Sequence, residues 1–129
     1  MHCEITKTLW KELEHHLTKI FDVPVTEPEK VFGLLGNTPN IILRNWLTFN
    51  LRHCVVKQEG PAFHNRKGPA NIIDIKIMFN EKIKSELMEK YHIYTNLARL
   101  DYFKRIFMVN DYLVTWENNW YQVLTLFSV

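Results

Sequence analysis

With 129 residues, 47% hydrophobic and 13% aromatic, the chain is long enough for one buried core and too apolar for wholesale disorder. Its net charge of +2, with 16 basic residues against 14 acidic ones, gives no bulk electrostatic argument for a nucleic-acid partner.

The elements read as helices throughout. Ile5, Leu9, Leu13, Leu17 and Ile20 recur at helical spacing and predict a first helix from about Glu4 to Phe21, stopped by Asp22-Val23-Pro24. Thr26-Glu27-Pro28-Glu29 opens a short second helix, with Thr26 as cap and Glu29 as its capping-box partner; Gly33 and Gly36 punctuate it. Thr38-Pro39 opens a third helix over 39–57. Ile42, Trp46, Phe49, His53 and Val56 form one of its stripes. Leu43, Leu47, Leu51 and Cys54 form another, leaving Arg44, Thr48 and Arg52 a narrow polar face. A helix apolar nearly all round is expected to be the central core helix. Two Gly-Pro pairs, Gly60-Pro61 and Gly68-Pro69, mark an internal linker over 59–70. Asn71 then caps a long amphipathic helix over about 71–95, with a stripe from Ile72 through Phe79 and Leu87 to Ala98, a Glu86–Lys90 pair outside, and a break near Thr95-Asn96. Asn110-Asp111 is expected to cap a last helix carrying Leu113, Trp116, Trp120, Val123 and Phe127 on one face. The sum is an all-α single domain, 1–129, of five to six helices.

Searching these elements for chemistry yields absences. There is no Gly-rich phosphate loop, no nucleophile elbow and no Asp-Asp pair. Adjacent His15 and His16 point about 100° apart on a helix and do not converge on one ion. His2-Cys3 supplies at most two of the four ligands a structural zinc needs. The expectation is no catalytic residue, no metal and no cofactor. No apolar run reaches the roughly 18 residues of a membrane span, and Met1-His2-Cys3-Glu4 is unlike a signal peptide. Two cysteines make no disulfide framework, so the expected setting is intracellular, cytoplasmic or nuclear, with free thiols and Cys54 buried.

The cations divide between two readings. Arg52 and Lys57 lie on the third helix, Arg66 and Lys67 in the linker, and Lys104 and Arg105 after the long helix. They are either a solvated surface balanced by acidic residues or phosphate contacts. If nucleic acid is bound, the Gly60–Pro69 linker with Arg66 and Lys67 is expected to carry it, with Phe63, beside His64, stacking on an unpaired base and Arg52 and Lys57 extending the patch. Trp10, Trp46, Trp116 and Trp120 follow helical spacing or border it, which fits core or interface packing.

The order of Cys3, Leu9-Trp10, Phe32-Gly33, Asn40-Ile41-Ile42-Leu43, a long Glu/Lys-bearing helix and the aromatic tail at Trp116 and Trp120 resembles the extreme carboxy-terminal segment of reverse transcriptases from LINE-type (non-LTR) retrotransposons. The resemblance runs from about Cys3 to Trp120. It implies the end of a much larger enzyme, a template- or RNA-binding appendage after the polymerase thumb, without the polymerase aspartates. Cys3 matches the last position of that family's zinc-like motif; its Cys pair is absent and His2 does not match the family's His. Trp116 and Trp120 are flanked by Thr115, Glu117, Asn118 and Asn119, where the family has a basic stretch and a Lys-Trp. A Met just before Cys3 fits an open reading frame that starts inside a decayed element. Two functions are therefore expected: a non-catalytic retrotransposon fragment with weak single-stranded RNA binding, or a stand-alone helical module that meets a protein partner through exposed aromatics.

Overall fold

The first helix of the computed structural model, α1 (Glu4–Phe21), buries Leu9, Leu13, Leu17 and Ile20 on one face, with Trp10 beside them. The model describes residues 4–59, 71–108, 112–117 and 120–128. Helix α1 stops where Asp22 turns left-handed at φ 57°, its N–H still reaching the Thr18 carbonyl at 2.7 Å. Helix α2 (Glu27–Phe32) is capped as expected: the Thr26 hydroxyl accepts from the Glu29 N–H at 3.3 Å, and Gly33 closes the far end on the Glu29 carbonyl. The Glu29 side chain departs from the expected capping box. It turns inward to a buried arginine.

Helix α3 (Pro39–Glu59) starts at the Thr38 cap and runs two residues beyond the predicted end. Helix α4 (Ile72–Asn96) begins with the Asn71 side chain accepting from the Ile73 N–H at 2.8 Å, and it buries Ile75, Phe79, Ile83 and Leu87. It breaks where the sequence predicts. Ala98 takes φ 55°, and the Arg99 N–H bonds back to the Tyr94 carbonyl at 2.7 Å. Helix α5 (Leu100–Phe107) then packs on both α3 and α4 through Phe103, Ile106 and Phe107. The linker placed at 59–70 lies, apart from Glu59 at the end of α3, outside the described residues, as do Cys3 and its neighbour His2.

The expected last helix is a hairpin instead. Strands β1 (Val114–Glu117) and β2 (Trp120–Val123) pair antiparallel, with Val114 opposite Val123 and Glu117 opposite Trp120. The helical spacing of Leu113, Trp116, Trp120, Val123 and Phe127 was coincidental. Both four-residue runs are rich in β-branched and aromatic types, and the two-residue connection between them is the commonest hairpin length. Flanking the hairpin, Leu113, Val114, Leu126 and Phe127 are buried, and the Phe127 ring lies 4.8 Å from that of Phe79. The class remains all-α: among the described residues there are five helices and one two-stranded sheet.

Candidate nucleic-acid interface

Helix α3 carries two of the seven candidate contacts, Arg52 and Lys57, and its two sides behave differently. Leu43, Leu47, Leu51 and Cys54 face the core. Arg44 and Thr48, expected on a polar outer face, are buried with them. Arg44 is 4% exposed and Glu29 2%. The guanidinium donates to both Glu29 carboxylate oxygens, at 2.5 and 2.8 Å, and to the Val23 and Pro24 carbonyls at 2.9 and 2.7 Å. Glu29 is thus the residue that makes the polar strip of α3 an inward one. A buried charge is tolerated when paired and hydrogen-bonded, and four bonds to one guanidinium meet that condition.

Opposite that strip, Ile42 and Trp46 stay partly buried against the core while the rest of their stripe faces out. Phe49 is 55% exposed and Val56 68%; His53 and Lys57 are exposed as well. The expectation of a core helix buried all round is corrected here. The Phe49 and His53 rings stack at 6.3 Å with 25° between their planes. The Arg52 guanidinium lies 5.9 Å from the centre of the Phe49 ring, near enough for a cation–π contact. Its Nη1 donates to the Glu29 and Lys30 carbonyls at 3.3 and 3.2 Å, which holds it at the end of α2. Burial lowers the Arg52 pKa against the opposing pull of the Glu29 charge. Two rings and the Arg52 guanidinium are therefore in contact on α3, with Lys57 exposed one turn beyond His53.

The other predicted contacts do not join them on that helix. Lys104 and Arg105 are exposed in the last turn of α5. Phe63, Arg66 and Lys67 lie outside the described residues. Sequence reasoning marked Arg52 and Lys57 but took Phe49 and His53 for a packing stripe. The signal it passed over was Arg44 at helical spacing from Thr48, with Glu29 available to neutralise it.

Elsewhere the polar groups are structural. His16 is half-buried between the Tyr112 hydroxyl and the Leu126 carbonyl, each at 2.6 Å. Only an N–H can face a carbonyl, so Nε2 carries a proton, and in the neutral ring Nδ1 accepts from the Tyr112 hydroxyl. Burial lowers its pKa, and the charges of His15 and Lys19 add to that. His15 is exposed. Burial pushes the Cys54 thiol up to about 11, so it stays a neutral core thiol. Trp46 is half-buried and donates Nε1–H to Glu86 at 2.8 Å; Glu86 also pairs with Lys82 at 2.8 Å, in place of the expected Lys90 contact. Burial pushes the Glu86 carboxyl up, but the bonds from Lys82 and Trp46 outweigh it and hold the group below its ordinary range. No cluster of three metal-ligating side chains occurs among the described residues, and no described helix is long and apolar enough to cross a membrane. No family model, curated protein or solved structure matches the chain.

Proposed function

We propose that the chain is a retrotransposon-derived fragment, equivalent to the carboxy-terminal segment of a LINE-type reverse transcriptase, that carries no catalytic residues and binds single-stranded RNA weakly through the outward face of α3. The order of motifs described above motivates the origin. The observation that carries the activity is the exposed Phe49 ring, set against His53 and Arg52 with Lys57 one turn beyond His53.

The chemistry follows from those groups. An unpaired base stacks on the open part of an aromatic surface, and such a contact is worth about 1–3 kcal/mol per base. Arg52 and Lys57 attract backbone phosphate without reading sequence. With a net charge of only +2 the affinity is expected to be low and to fall steeply with salt. Fluorescence anisotropy with single-stranded RNA at low and physiological salt tests this. Wild type should bind at low salt, Lys57→Ala should lower the salt dependence by about one phosphate contact, and Arg66→Ala/Lys67→Ala should leave most of the affinity. Binding abolished by the linker pair and untouched by Lys57→Ala would move the site to 60–70. The origin has its own test: genomic sequence just upstream should encode a polymerase-like frame with a double aspartate.

A protein-interaction reading has one specific observation in its favour, the exposed Phe32 at the end of α2 and Leu35 in the turn that follows it.

A further inference from the structure

Phe49 is more than half exposed, and an exposed side chain on a helix surface ordinarily hops between rotamers. Arg52 limits that freedom. It stands one turn along α3, and its guanidinium lies 5.9 Å from the centre of the Phe49 ring. The guanidinium is itself tied down. Its Nη1 donates to the Glu29 and Lys30 carbonyls at 3.3 and 3.2 Å, across 23 and 22 positions of sequence. Both carbonyls belong to α2. The Leu34 N–H, four residues on from Lys30, goes to the Asn45 Oδ1 instead, so Arg52 serves an acceptor that the end of the helix leaves open.

This anchor is continuous with the inner side of α3. The Glu29 carboxylate holds the buried Arg44, and the Glu29 carbonyl holds Arg52. One residue of α2 therefore fixes cations on both sides of α3. Lysine at position 52 would supply the charge but not the geometry. A guanidinium is flat, so it lies against a ring while its edge donates to fixed acceptors; an ammonium is a point charge on a flexible stem.

Resting on the RNA reading of this face, we infer that Arg52 is a positioning residue for the stacking site: beyond the charge it offers phosphate, it holds the Phe49 ring in the orientation that receives a base. A ring ordered before binding loses less freedom on binding, a gain of about two- to ten-fold in affinity for one side chain.

The discriminating variant is Arg52→Lys, which keeps the charge. In anisotropy titrations with labelled single-stranded RNA it should bind about two- to ten-fold more weakly than wild type, with the salt slope unchanged. Lys57→Ala should instead lower that slope by about one. The Arg52→Lys loss should vanish in a Phe49→Ala background, where no ring is left to position, whereas a general loss of fold stability would weaken binding in both backgrounds. In the free protein, NMR relaxation of isotope-labelled phenylalanine should show the Phe49 ring ordered in wild type and mobile in Arg52→Lys. An Arg52→Lys protein that binds like wild type overturns the inference. So does an equal loss in the Phe49→Ala background, or a Phe49 ring equally ordered in both proteins. A wild type without RNA affinity overturns the RNA reading by itself, and the ring measurement still decides whether Arg52 holds Phe49.

Discussion

The two sides of α3 both mix apolar and polar residues and have opposite fates. The inner side holds Leu43, Leu47 and Leu51, but also a charged Arg44 and a hydroxyl, Thr48. The outer side holds Phe49 and Val56 and stays in water. Hydrophobicity alone therefore did not choose the buried face. The choice follows from partnering: Arg44 has Glu29 and two carbonyls within reach on the inner side, so burying it costs little. Among the described residues, the Phe49 ring is set against His53 and Arg52 and stays more than half exposed.

The comparison breaks most visibly at the ion pair. Arg44→Met leaves Glu29 buried without its cation and is expected to destabilise the fold by about 3–5 kcal/mol in urea unfolding. Arg44→Met/Glu29→Leu should recover much of that loss, because it removes the stranded charge as well. A double variant no more stable than the single one would shift the weight to the Val23 and Pro24 carbonyls. Leu47→Ala, three residues along on the same inner side, should cost about 3 kcal/mol through the cavity it opens.

Much of the frame was legible because it is local. Thr26, Thr38 and Asn71 cap the helices they precede, and those bonds span two or three residues. The break after Asn96 was legible too. The faces of α3 were not, since the deciding contact joins Arg44 to Glu29 across 15 positions. The hairpin was missed for a different reason. Leu113, Trp116, Trp120 and Phe127 fit a helical period by accident, and that period hides the strand-forming types of Val114–Glu117 and Trp120–Val123. For the candidate site, charge named Arg52 and Lys57, whereas a phenylalanine at helical spacing looks like core until its neighbours are known.

A smaller effect concerns the carboxy-terminal segment, which His16 holds through Leu126 and Tyr112. Burial lowers the His16 pKa below its ordinary 6.5, so the folded chain binds that proton more weakly than the unfolded chain. Its contribution to stability is complete above about 6.5 and is lost as pH falls through the lower, folded value. Melting temperatures from about pH 8 to pH 5 should therefore drop more for wild type than for His16→Gln, for which this group no longer titrates. Parallel curves would show that the segment is held by Asn80 and Lys76 instead, through their bonds to Phe127 and Ser128.

Phe49→Ala tests most directly whether the outward face of α3 serves binding and not folding. Because the ring is more than half exposed, the substitution should change unfolding stability by less than about 0.5 kcal/mol. The same protein, titrated into labelled single-stranded RNA at low salt, should bind about ten-fold more weakly than wild type, the loss of one stacked base. Unchanged RNA affinity would contradict the account, and so would a stability loss comparable to that of Leu47→Ala, which would place Phe49 in the core.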